Sequence, residues 1–292
     1  HFTVGIADDV AGTSLDCDPG FVLEEPGAFR ALFFGLGADG TVGANKSTIK
    51  IIGSHTAKSA QGYFVYDSKK SGAMTVSHVR FGAEPIRHPY LLPRADFVAC
   101  HNPSFLEKHD MLAAAADGAV FLLTSSRGAD EVWDSLPLEV QRTLIAKRMR
   151  FFVIDAIALA DELGLGARIN IIMQAAFFLI SGVLPREEAL AAIKEQIAAA
   201  YGGKGPKVVE MNCAAAERAL ERLVEVPVPA TATSSLRLRP AVPADAPEFV
   251  RTVTARMIEG RGDSLPVSAL PPDGTWPTAT TQYEKRNLAV TI

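Results

Sequence analysis

Ala31-Leu32-Phe33-Phe34-Gly35-Leu36-Gly37-Ala38-Asp39-Gly40-Thr41-Val42 is the stretch that decides the fold. Four apolar residues in a row read as a buried strand. Gly35-x-Gly37-x-x-Gly40 follows at once, and Val42 to Ile52 then carries helical spacing, with apolar Val42, Ile49 and Ile52 and a predicted stop at Gly53. In a strand–glycine loop–helix the glycines let the backbone turn tightly and let a phosphate come close. The helix start adds free N–H groups and the positive end of its dipole. A tight turn with no ligand produces the same pattern, so the motif needs support from elsewhere.

Moving outward, Gly62 to Tyr66, Thr75 to Phe81, Asp96 to Cys100, Ala119 to Leu123 and Arg150 to Ile154 read as further strands. Helical stretches lie between and after them: Ile169 to Val183, Pro185 to about Tyr201, and Val208 to Leu223. Alternating strands and helices predict an α/β domain with a largely parallel sheet flanked by helices. Half of the 18 prolines fall after Val226, so a Pro-rich linker with little regular structure is expected there. The predicted organisation is an extended lead-in (1–29), the α/β domain (30–225) and a linker with a short tail (226–292).

The 292 residues carry a formal charge of -4 and are 48% hydrophobic. A mildly acidic balance gives no basic stripe for nucleic acid. Cys17, Cys100 and Cys213 are odd in number and far apart, with no C-x-x-C pair. No disulfide framework, zinc site or resident iron–sulfur cluster is expected, and a reducing, cytoplasmic setting is the simple reading. The longest apolar run, Ile169 to Leu184, is interrupted by Asn170, Gln174, Ser181 and Gly182. It is short of the roughly 20 apolar residues a membrane span requires, so a buried core helix and no membrane partner are predicted. The first residue is His1 and the last five are Leu288-Ala289-Val290-Thr291-Ile292, a strand just beginning. Both ends read as cut from a longer polypeptide.

Ser68-Lys69-Lys70-Ser71-Gly72, at the end of the second strand, supplies two point charges in a turn, a phosphate-type arrangement. A solvated surface turn is the plain alternative. A ligand with a diphosphate and a ribose phosphate satisfies both loops, and coenzyme A and NADP each qualify. The glycine loop with the start of its helix, and the Ser68-Lys69-Lys70 turn, are therefore the two candidate ligand-binding loops. Asn102 joins them because it follows a strand at its carboxyl end. His55, His78, His88, His101 and His109 show no metal-ligand spacing, and Cys100 reads as a buried thiol. No catalytic triad or carboxylate pair can be assembled, so the segment is expected to bind a ligand while the chemistry lies elsewhere.

Phe34 to Lys46, Ile49-Lys50-Ile51-Ile52-Gly53, Ala60 to Gly72, Thr75-Val76-Ser77-His78, Arg80-Phe81-Gly82 and Ala95 to Asn102 together resemble the gamma-domain signature of pyruvate:ferredoxin (flavodoxin) oxidoreductases. So do Phe2 to Ile6, Asp8-Asp9-Val10, Gly166 to Asn170 with Gln174, Ser181 to Pro185, and Val209 to Asn212. Glu284-Lys285-Arg286 is similar to that family's Glu-Lys-Arg region. Ala73 departs from the usual glycine, and Thr231 to Gly262 has no counterpart. The resemblance implies an internal fragment of an enzyme that decarboxylates pyruvate on thiamine diphosphate. Electrons would pass through [4Fe-4S] clusters to ferredoxin or flavodoxin, and the acetyl group to coenzyme A. It further implies that this segment contributes to coenzyme A binding, through Gly37, Asp39, Gly40, Thr41, Val42, Asn45 and Lys46 in the first loop and helix and Ser68, Lys69 and Lys70 in the second loop, and to domain assembly, is inactive alone, and works with other domains of the same polypeptide in a homodimer. An NADP-dependent dehydrogenase domain and a non-catalytic interaction module are the competing readings.

Overall fold

The computed structural model describes residues 1–18, 21, 27–37, 39–66, 73–87 and 89–283. The chain forms two compact units, Glu24–Arg237 and a smaller one made of His1–Leu23 with Leu238–Ile292. In the smaller unit β1 (Thr3–Val4) pairs in parallel with β2 (Ser14–Leu15). The turn between them closes on Asp8, whose carboxylate accepts from the N–H groups of Val10, Ala11 and Thr13 and from the Thr13 hydroxyl. Those donors hold its pKa well below the usual carboxylate range, with Ala11 the largest cause and Thr13 next.

The larger unit begins with β3 (Phe29–Leu36), then α1 (Thr41–His55), β4 (Ser59–Tyr66), β5 (Met74–Gly82) and β6 (Ala95–Cys100). β7 (Ala115–Thr124), α2 (Ala129–Ser135), α3 (Leu138–Ala146) and β8 (Arg150–Ile154) follow. α4 (Ala156–Glu162), α5 (Asn170–Ser181), α6 (Arg186–Tyr201), α7 (Pro206–Arg222) and β9 (Val224–Val226) complete it. The strands make one seven-stranded sheet in the order β4-β5-β3-β6-β7-β8-β9. β3, β6, β7 and β8 are mutually parallel, while β5 runs antiparallel to both β3 and β4, and β9 antiparallel to β8. The expected α/β class with a largely parallel core is what forms.

The crossover β3–α1–β4 leaves a gap one strand wide, and β5 fills it in the opposite direction. The link 67–73 between β4 and β5 is too short for a parallel crossover, which takes a dozen or more residues. A dinucleotide fold places its second strand directly beside the first, so the NADP-dehydrogenase arrangement is absent here. Arg30 fastens β3 to β6: its Nε and Nη2 donate to the Asp96 carboxylate at 2.9 and 2.7 Å, and its backbone N–H adds a third bond at 2.9 Å.

Successive strand residues point to opposite faces, and two cores result. Phe33, Phe97, Leu122 and Ile154 face α1, α4, α5, α6 and α7. Leu32, Val98, Phe121 and Leu123 face α2 and α3. Asn170 through Phe178 are buried on every side of α5, which confirms a core helix, and Gly182 ends it in the left-handed conformation at φ 59. α1 departs from expectation by continuing past Gly53 to His55. Gly53 is on the exposed side with no atom near its missing Cβ, so it costs only helix propensity, about 1 kcal/mol. After β9, residues 227–247 contain neither helix nor strand, as the prolines predict. The smaller unit then builds a core from Val242, Ala246, Val250 and Ala255, the last at the start of α8 (Ala255–Ile258). Its lead-in is tied down by the Val267 N–H on the Ala7 carbonyl and the Ser268 N–H on the Asp9 carboxylate, both at 3.0 Å.

Candidate functional site

The carboxyl end of β3 is where the fold turns its connections to different faces: α1 packs on one side of the sheet and the short helix Pro103–Glu107 after β6 on the other. Open α/β sheets bind ligands at such a switch point. Gly35 is required there because a Cβ would lie 2.5–2.8 Å from the Thr41 side chain. Gly40 has φ 90 and caps α1 in the left-handed region, which a side chain disfavours. The Gly37 N–H donates to the Ala73 carbonyl at 2.7 Å, so the glycine loop touches the end of the link between β4 and β5.

Asp39 faces inward. Its carboxylate accepts from the Leu36 N–H and the Thr41 N–H, each at 2.7 Å, and closes the loop on itself. Thr41 is fully buried, with its Oγ1 2.8 Å from the Nδ1 of His101. Asn45, one turn further, is buried too. Asp39 and Thr41 therefore hold the loop's shape, Asn45 leaves its buried Nδ2 without a hydrogen-bond partner among the described residues, and Lys46 is exposed, with its Nζ 5.4 Å from the centre of the Phe64 ring. Asn102 spends its Oδ1 on the Ser104 N–H, capping the short helix. Ser68, Lys69 and Lys70 lie outside the described residues, as do Glu284, Lys285 and Arg286. Tyr66, Thr75 and Gly35 lie in one row across β4, β5 and β3, so the end of β4, the start of β5 and the end of β3 share one end of the sheet.

The sequence shows His101 only as a histidine without metal-ligand spacing; the fold sets it under the loop, against the Thr41 hydroxyl. Burial lowers its pKa to about 4 against the pull of nearby Asp39, and burial lowers that of His78 to about 4, with Arg80 adding to the effect. His78 Nδ1 accepts from the Leu92 N–H at 3.1 Å, which fits a neutral ring. Both histidines are neutral when folded, whereas unfolded they take up a proton near pH 6.5. Between pH 6.5 and about 4 the unfolded chain binds more protons, so stability falls as pH falls, by up to about 1.4 kcal/mol per histidine per pH unit. Urea midpoints across that window should drop less steeply in His101→Gln; parallel curves would refute the assignment. Cys100 is buried as expected, and burial raises its thiol to about 12, leaving it inert.

The family model described as pyruvate ferredoxin/flavodoxin oxidoreductase matches residues 30–222. The chain belongs to that family. A second model, the EKR domain of unknown function, matches residues 235–289 and so takes in most of Thr231 to Gly262, the stretch expected to lack a counterpart. Pyruvate-flavodoxin oxidoreductase of Rhodospirillum rubrum is 56% identical over 288 residues, covering 99% of this chain and 24% of the relative. Pyruvate:ferredoxin oxidoreductase of Moorella thermoacetica is 50% identical over 291 residues, covering 100% and 25%. This oxidoreductase-family chain thus spans about a quarter of the length of the curated relatives it matches. Among solved structures, pyruvate oxidoreductase subunit PORC of Thermotoga maritima superposes with a TM-score of 0.55 at 18% identity, over 69% of this chain and 99% of the subunit. The gamma subunit of a keto/oxoacid ferredoxin oxidoreductase from Geobacter sulfurreducens gives 0.51 at 19%, over 67% and 96%. At those identities the likeness establishes the fold alone.

Proposed function

We propose that residues 30–225 are the coenzyme-A-side gamma domain of an oxidoreductase that converts pyruvate, coenzyme A and an oxidised carrier into acetyl-CoA, CO2 and the reduced carrier. On this reading 1–29 is the lead-in and 226–292 the linker with the Glu-Lys-Arg region. The observation that carries it is the 56% identity, over 99% of the chain, to a protein named for that reaction. A [4Fe-4S] cluster takes four thiolates, and the chain has three cysteines, of which Cys100 is buried and inert. The residues present do not fit a cluster. Thiamine diphosphate and the clusters are assigned to polypeptide outside this chain. The partners are the other domains of the same polypeptide, a second copy of it, and ferredoxin or flavodoxin, in the cytoplasm. Among the described residues no helix is long and apolar enough to cross a membrane.

The role of this chain is to hold coenzyme A. The loop from Gly37 to Lys46 offers the start of α1, shaped from within by Asp39 and Thr41, with Asn45 buried one turn on. Lys46, Ser68, Lys69 and Lys70 supply charge and hydroxyl to phosphate groups, and Asn102 borders the crevice. In the full-length enzyme under anaerobic conditions, reduction of a low-potential acceptor should require both pyruvate and coenzyme A. Lys69→Ala with Lys70→Ala should raise the KM for coenzyme A at least tenfold, because a hydrogen bond to a charged group is worth about 1.5–3 kcal/mol. The KM for pyruvate should stay within twofold. An unchanged KM for coenzyme A would overturn the assignment of these loops.

A further inference from the structure

The seven-stranded sheet has two edges, and they are built differently. β9 closes one side with three residues, Val224–Val226. Its middle residue, Glu225, is paired with Arg150, and Pro227 follows at once. Shortness, charge and proline are the devices by which an open edge avoids pairing with other chains. β4 closes the other side with eight residues, Ser59–Tyr66. Ser-Ala-Gln-Gly-Tyr-Phe-Val-Tyr contains no charge and no proline. β4 pairs with β5 along its whole length without a bulge, and among the described residues no strand lies on its outer side. Every second residue of such a strand turns an N–H and a carbonyl outward.

The side chains leave one face of β4 open as well. α1 covers the face that carries Ala60, Gly62 and Phe64: Ile49 fills the place a Gly62 Cβ would take, and Lys46 lies over the Phe64 ring. Tyr63 and Val65 alternate to the opposite face and are 52% and 37% exposed, and Tyr66 at the strand's end is 57% exposed. A long, regular, uncharged edge with exposed aromatic residues is a template for a further strand.

We propose that β4 is a docking edge: an extended segment of the same polypeptide, from outside these 292 residues, adds an eighth strand to the sheet along Ser59–Tyr66. This rests on the reading above that the chain is one part of a longer oxidoreductase. The match covers 24% and 25% of the relatives' length, so about three quarters of each lies outside it. A tethered segment meets the edge at an effective concentration of up to roughly millimolar, far above that of a second molecule. Main-chain hydrogen bonds supply the affinity, and Tyr63 and Val65 offer an apolar surface to alternate side chains of the added strand. The contact is one between domains, so it holds the assembly together and adds nothing to the stability of the α/β unit by itself.

The test uses the full-length enzyme. Hydrogen exchange read residue by residue should be slow at every amide from Gly62 to Tyr66, roughly a hundredfold or more below the unstructured rate. Fast exchange at alternate residues would show an open edge and overturn the proposal. Tyr63, or in a second protein Val65, is then replaced by photoreactive p-benzoylphenylalanine. Irradiation should join that position to a peptide outside residues 1–292, while the product keeps the mass of one polypeptide on a denaturing gel. A product of twice that mass would give the edge to a second copy. A cross-link within 1–292, or none from either position, would likewise overturn the proposal. Reduction of a low-potential acceptor is followed on the same preparations. The expected cross-link without any requirement for pyruvate would remove the oxidoreductase reading and leave the docking edge. Fast alternate amides in an enzyme that needs pyruvate and coenzyme A would do the reverse.

Discussion

Phe177→Ala is expected to lower stability by about 3–5 kcal/mol, the range for emptying a buried aromatic site. Phe177 is completely buried in α5, and its ring centre lies 5.1 Å from that of Phe97, 5.2 Å from Phe33 and 5.5 Å from Phe178. Phe29 and Phe81 follow at 6.3 and 6.4 Å. Most of these contacts are edge-to-face, the arrangement the ring quadrupoles favour. The cluster joins three neighbouring strands, β5, β3 and β6, to one helix, so the cavity would open at the point where the sheet meets its cover. For a unit of this size that corresponds to a fall in melting temperature of roughly 6–20 °C. Tyr63→Ala, on the exposed edge strand β4, should stay within about 0.5 kcal/mol. Comparable shifts for the two variants would show that the cluster is not what holds α5 to the sheet.

The second large effect concerns Gly40. At φ 90 a side chain meets the left-handed penalty of roughly 1–2 kcal/mol. Its Cβ would also press on the Asn170 carboxamide, an overpacking cost of about 1–3 kcal/mol. Gly40→Ala should therefore destabilise by roughly 2–5 kcal/mol. Gly40→Ala combined with Asn170→Ala should regain the steric part and keep the conformational part. Gly43, three residues on, has nothing within 4 Å of its missing Cβ and an ordinary helical φ. Gly43→Ala should stabilise by up to about 1 kcal/mol through helix propensity. Denaturant midpoints of the four proteins decide the matter, and equal behaviour of the two glycines would refute the geometric argument.

What the sequence revealed was local. Ala31 to Phe34, the glycines and the following helix are contiguous, so their pattern could be read directly. The apolar run in α5 likewise identified a core helix. β9 was missed because three residues, Val224 to Val226, carry too little periodicity. Gly53 was taken as a stop because a glycine in the last turns of a helix carries the same signal as a glycine after it. The site was legible only on one side. Asp39 read as a candidate ligand-binding residue, and only the folded loop shows its carboxylate turned inward onto Leu36 and Thr41. Asn170 stands far along the chain from Gly40, and its place beside that glycine depends on how α1 and α5 pack. His101 likewise gains its meaning from the hydroxyl of Thr41, sixty residues earlier.

The smaller unit is assembled from both ends of the described chain, Asp9 and Ala7 meeting Ser268 and Val267. That has a consequence for biogenesis. A ribosome delivers the lead-in first and its partners last, with the whole of 24–237 made in between. At about 5–20 residues per second the interval is of order ten to forty seconds. Throughout it Ala7 and Asp9 have no tail to meet. The α/β unit can fold as it emerges, whereas the smaller unit can close only after translation has passed Ser268. The lead-in therefore stays without its partners for as long as the α/β unit takes to be made.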